Sequence, residues 1–236
     1  MLLVTSSGLP QRGDKVTRLE AFVDAAFAFA VTLLVISGDH IPSSIAQLID
    51  ALKQVPAYAA SFALVMQFWV SHADWSRRFG LEDVRSERLS IALVFVLLIF
   101  VYPLKMVFAS LFSLLSAGYL PTRFVIESWT EVPILFQTFA TGFGVMALVM
   151  YLLFSHAAKT ARDQGFSADE LAYAVHKRQT WAAVVVFSLL SFALAALIPA
   201  TPESGVWLGM PGFVFFGLNI LQWLMKRRFL RRVRPG

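Results

Sequence analysis

The stretch Arg18–Ile36, Arg-Leu-Glu-Ala-Phe-Val-Asp-Ala-Ala-Phe-Ala-Phe-Ala-Val-Thr-Leu-Leu-Val-Ile, constrains the chain more than any other. After Asp24 no charge appears until Gly38-Asp39-His40-Ile41-Pro42, a sequence that stops a helix. From Leu19 to Ser37 a helix of about 19 residues rises roughly 28 Å, enough to cross the hydrocarbon core of a bilayer. At about 100° per residue, Arg18, Phe22, Phe29, Leu33 and Ile36 fall on one stripe, with the small Ala25 and Ala26 filling its gap. Asp24 points away from that stripe. Arg18 and Asp24 are therefore poorly placed to pair with each other, and each needs a partner from another helix. A carboxylate in the membrane costs about 2.5–3.5 kcal/mol on insertion scales, so it is buried against protein and hydrogen-bonded. An ion-binding acid and a helix-locking acid both fit, and the position away from the stripe favours the lock.

The composition suits a membrane domain. The chain has 236 residues, 58% hydrophobic and 15% charged, whereas a soluble domain is nearer half apolar and a quarter charged. The expected fold is an all-α integral membrane protein, one domain over 1–236. Its six transmembrane helices lie at about 18–37, 54–76, 86–116, 131–157, 170–198 and 204–226. Of the 20 lysines and arginines, only Lys53, Lys105 and Arg123 fall outside the segments that are cytoplasmic when both termini are inside. That asymmetry sets the orientation: N- and C-termini cytoplasmic. The net charge of +5 is thereby accounted for without a nucleic-acid partner. Met1-Leu-Leu-Val4 is too short for the apolar core of a signal peptide.

Smaller signals fill in the outline. Ile41, Ile45, Leu48, Ile49, Leu52 and Val55 recur at helical spacing with Asp50 and Lys53 opposite, as in a short helix lying at the outer surface. Ser167-Ala-Asp-Glu170 has the spacing of a capping box and starts the fifth helix in the cytoplasm. Lys105, just after Pro103, reads as a lysine snorkelling to the interface. Gly205 and Gly209 have helix-packing spacing, a weak signal. With no cysteine, disulfides and thiolate metal sites are excluded. His40, His72, His156 and His176 form no metal-ligand spacing. No phosphate-binding loop, nucleophile elbow or paired membrane carboxylates appear, so no enzyme and no bound cofactor are expected.

Two stretches carry a resemblance to a known family. Arg18, Phe22 and Asp24, followed by Thr32-Leu33-Leu34-Val35, resemble the R-x-x-x-F-S-D and T-L-L-V-L signature of the transmembrane protein 175 potassium channels, with Val23 at the serine position. Tyr58-Ala-Ala-Ser61-Phe62 and Trp69-Val-Ser-His72 resemble that family's Y-x-x-S-F and W-x-x-H. The resemblance covers mainly the first two helices, loosely extending to Pro103.

The resemblance implies a prokaryotic-type member in the cell membrane, with one six-helix unit per chain and a homotetramer around a central pore. Potassium would be the permeant ion and the bilayer the surrounding partner. It implies that Phe29, Leu33 and Ile36 form the apolar constriction, with phenylalanine where relatives carry isoleucine. Arg18, Phe22, Asp24, Trp69 and His72 would brace the pore helix, and Thr32 offers a hydroxyl at the same depth, bonded back to its own helix or to a neighbour. A ring of apolar side chains gates by dewetting, and a narrow one tests the cost of stripping water from an ion. Other readings stay open. One is a proton-permeable variant; another is a non-conducting scaffold sealed by Phe29. A secondary transporter would need a polar midplane cavity, for which the spans hold little beyond Asp24, Gln67, Ser61, Gln137 and Asn219.

Overall fold

The computed structural model describes residues 12–13, 16–36, 43–122, 124 and 126–233. Its elements are α1 (Arg18–Ile36), α2 (Ile45–Lys53), α3 (Val55–Phe79), α4 (Val84–Leu115), α5 (Glu131–Asp163), α6 (Ala168–Leu197), a 3-10 helix (Pro202–Gly209) and α7 (Met210–Val233). No strand occurs among the described residues. The helix-stop sequence Gly38–Pro42 lies outside them, as do Lys15, Arg123 and Arg234.

Helix ends follow local chemistry. Ser44 caps α2 by accepting from the Gln47 amide, and Asp83 caps α4 by accepting from the Ser86 amide. The expected capping box is formed: the Ser167 and Glu170 side chains each accept from the other's backbone amide at the start of α6. α3 ends at Gly80, whose φ of +57° is the left-handed conformation that a residue without a Cβ adopts freely. One expectation changes. The sixth segment does not start as an α-helix at 204; a 3-10 helix leads into α7 at Met210. Pro211 has no N–H to bond back to the Trp207 carbonyl, so the α-helical ladder restarts there.

Four helical segments among the described residues are long and apolar enough to cross a membrane: α4, α5, α6 and Trp207–Phe229. α1 and α3 carry ionisable groups of their own: Arg18, Glu20 and Asp24 on α1, and His72, Asp74, Arg77 and Arg78 on α3. Most of those groups turn out to be paired between helices.

The core lies among α3, α4, α5 and α6. α5 and α6 share the most extensive contact, and α1 packs on α3 and α4. Phe68 of α3 meets Phe143 of α5 edge-on at 5.7 Å between ring centroids and Trp181 of α6 at 5.0 Å. The α4–α5 contact depends on a missing side chain. A Cβ built on Gly142 would lie 2.1 Å from Cδ2 of the buried Phe100. Gly142→Ala should therefore overpack the core and destabilise it by about 1–3 kcal/mol, read as a lower unfolding temperature in detergent. A variant as stable as the parent would mean that Phe100 can move aside.

Candidate functional site

α1 divides sharply into two faces. Val23, Phe27, Ala30 and Leu34 are at most 2% exposed and enter the core, whereas Phe22, Phe29 and Val35 are 52–56% exposed. Ala25, Ala28 and Thr32 are exposed on the same side. The uncovered face thus includes Phe22 and Phe29 of the expected stripe, and Arg18 is exposed at its start. Leu33 sits at the edge, half-buried against the core. The side chain of Ile36 lies outside the described residues. Thr32 Oγ1 donates to the Ala28 carbonyl at 3.0 Å, satisfying its hydroxyl within its own helix.

The buried side of α1 is fastened to α3 by two polar contacts. Trp69 Nε1–H donates to the Asp24 carboxylate at 2.8 Å. One turn earlier on α1, the buried Glu20 lies 3.6 Å from the Arg77 guanidinium, and its own amide donates to Thr17 Oγ1. Asp24 thus finds its partner on another helix. Arg18 has no ion-pair partner among the described residues.

The stretch of α3 from Trp69 to Arg77 reaches every other long helix of the core. Ser71 accepts from Trp181 Nε1–H of α6 at 3.2 Å, His72 shares a 2.9 Å hydrogen bond with Ser90 of α4, and Trp75 Nε1–H donates to the Leu153 carbonyl of α5 at 3.1 Å. Asp74 accepts from Arg78 Nε–H at 2.6 Å and from the Tyr173 hydroxyl of α6, with Lys177 Nζ 3.6 Å away. The chain ahead of α1 joins the same end. Arg12 forms a two-pronged ion pair with Glu170 at 2.9 and 3.2 Å, and the Gly13 amide donates to the Arg77 carbonyl.

The structure therefore joins Asp24 with Trp69 but sends His72 to α4. Arg18 and Phe22 are outside this contact set. Glu20, Ser71, Asp74, Trp75 and Tyr173 are structural partners that sequence reasoning missed. The Asp74–Arg78 pair was signalled by its i,i+4 spacing. Glu20 lies one turn before Asp24 on the same side of α1. The bond between Trp75 and Leu153, 78 residues apart, had no local signal.

At the same end Asp83 meets both its capped amide and Nε2–H of His156. Burial alone pushes the Asp83 carboxyl up, but the Ser86 amide and the His156 ring together hold it below the usual carboxylate value. A carboxyl with a depressed folded value stabilises above its unfolded value, near 4, and loses that contribution as pH falls through the folded value. Asp83→Ala should cost about 0.5–2 kcal/mol at pH 7 and narrow its gap to the parent below about pH 4, read by thermal unfolding. A gap that persists in acid would show that the charge of Asp83 is irrelevant. No group of three or more His, Asp or Glu among the described residues is arranged to hold a metal ion.

An all-helical bundle with membrane-length apolar segments, in which polar contacts tie α3 to α1, α4, α5 and α6, is that of an integral membrane protein. Comparison with known proteins then shows what it is similar to. A model of the endosomal/lysosomal potassium channel TMEM175 matches residues 18–103, the region from α1 to Pro103 of α4. The chain is 32% identical over 155 residues to a potassium channel of Marivirga tractuosa, covering 63% of this chain and 62% of that protein. It therefore spans less than two thirds of that relative. The crystal structure of a threonine-to-alanine variant of the potassium channel MtTMEM175, in complex with a nanobody–MBP fusion, matches with a TM-score of 0.82 at 26% identity. That match covers 95% of this chain and 98% of the other. A lysosomal potassium-selective channel TMEM175 homologue from Chamaesiphon minutus shares the fold at a TM-score of 0.53 and 22% identity, over 86% and 97% of the two chains. Residues 18–103 thus match the TMEM175 family model, and the chain as a whole shares the fold of the MtTMEM175 channel.

Proposed function

We propose that the chain is the subunit of a potassium-permeable channel. It crosses the membrane six times with both termini cytoplasmic, and four copies set the bare faces of α1 around a shared path. The observation that carries this reading is the division of α1: one face entirely within its own subunit, the other uncovered and lined by Phe22, Ala25, Phe29 and Thr32. The match of residues 18–103 to the TMEM175 family model and the potassium channels among the similar proteins support it. In this arrangement Phe29, Leu33 and Ile36 narrow the path with apolar rings. Thr32, bonded to its own helix, leaves little polarity there. Potassium holds its water less tightly than sodium and loses less on passing such a ring. Asp24 and Trp69, with Glu20 and Arg77 behind them, hold α1 in place, and His72 secures the supporting α3.

The test is ion flux into proteoliposomes of purified protein. A potassium gradient should drive uptake above that of empty vesicles, and an equal sodium gradient should drive less. Flux equal to empty vesicles would overturn the channel reading in favour of a scaffold. Acid-driven uptake that potassium does not account for would make protons the permeant.

A further inference from the structure

α2 presents a second apolar face, away from the α1 surface. Ile45, Leu48, Ile49 and Leu52 follow one another at i, i+3, i+4 and i+7 and are 43–73% exposed, and no residue of α2 is buried. Asp50 lies on the opposite side of the helix, and Lys53, which reaches Asp50 at 3.4 Å, lies on its flank. The ammonium of Lys53 also sits 5.3 Å from the ring of Tyr119, just beyond the end of α4. α2 therefore lies at the end of the bundle where α3 and α5 begin and α4 finishes.

Tyr119 is itself exposed, as are Trp129 just before α5 and Trp207 just before α7. Amphipathic aromatic rings collect where a bilayer's headgroups meet its chains. These three place that boundary at the level of α2. A helix there with four aliphatic side chains on one side and charge on the other has the form of a segment lying in the interface plane. Four side chains on a nine-residue helix offer a few hundred Å² at most, short of the roughly 800 Å² per partner of a stable protein interface.

We infer that α2 seats its apolar face in bilayer lipid, at the boundary between headgroups and acyl chains, on the side of the membrane opposite the basic clusters. The contact does not depend on conduction and stands or falls separately from the channel reading.

The absence of cysteine allows single labels. Leu48→Cys, Ile49→Cys, Leu52→Cys and Asp50→Cys would each carry an environment-sensitive fluorophore in phosphatidylcholine–phosphatidylglycerol proteoliposomes. Labels at 48, 49 and 52 should be quenched by lipid spin-labelled at a shallow chain position and be several-fold less sensitive to aqueous iodide than the label at 50. Iodide quenching equal at all four sites would put α2 in water and overturn the inference. Protection of 48, 49 and 52 from both quenchers would overturn it too, by giving the face to a second copy. Because α2 buries no side chain, these substitutions leave the core intact.

Discussion

Phe29→Ala is expected to raise potassium flux into proteoliposomes by about tenfold or more, the effect of lowering a barrier by about 1.4 kcal/mol. The ring stands 56% exposed on the face of α1 that its own subunit leaves bare. Four such rings around one axis would exclude water and stop an ion unless it sheds its shell, and alanine removes most of that bulk. The change should also weaken the preference for potassium over sodium, because a wider path lets both ions keep more water. The core is unaffected, since Phe27 and Ala30 carry the packing on that part of α1. Unchanged flux and selectivity would place Phe29 away from the path.

Trp69→Phe should destabilise the fold by about 1.5–3 kcal/mol, the range for a hydrogen bond to a charged group, read as a lower unfolding midpoint in detergent. The ring volume is largely kept, so the loss is chiefly the Nε1–H bond to Asp24. Combining it with Asp24→Ala should give a coupling of at least 0.5 kcal/mol, as residues in direct contact do. Arg18→Ala, at an exposed site without an ion-pair partner among the described residues, should change stability by no more than about 0.5 kcal/mol. Equal effects of Trp69→Phe and Arg18→Ala would remove the Asp24–Trp69 bond as the brace of α1.

Much of the fold was legible because membrane-length apolar runs and helix caps are local signals. The span of α1, the short α2 with Asp50 and Lys53 opposite its apolar side, and the Ser167–Glu170 box all follow from spacing within one segment. The bare face of α1 was legible in part. Helical angles put Phe22 and Phe29 together, but the exposed side is centred nearer Ala25 and Thr32, which leaves Leu33 at its edge. Where a helix turns its bare side depends on how neighbouring helices pack, and periodicity cannot supply that. Asp24 could be seen to need a partner on another helix, but nothing local named Trp69, 45 residues away. Within α3, Asp74 carries only an i,i+4 signal, towards Arg78. Its joining role appears only once α6 brings Tyr173 and Lys177 to Asp74.

The most direct test of the proposed path is silver block of potassium flux through a single-cysteine variant, in a chain that otherwise offers no thiol. Silver should abolish flux through Phe29→Cys within the access time of the ion. It should leave flux through Phe95→Cys unchanged, because that position, 65% exposed, lies on α4 and not on the helix proposed to line the path. Full flux through silver-treated Phe29→Cys would contradict the claim that copies of α1 line the route of the ion.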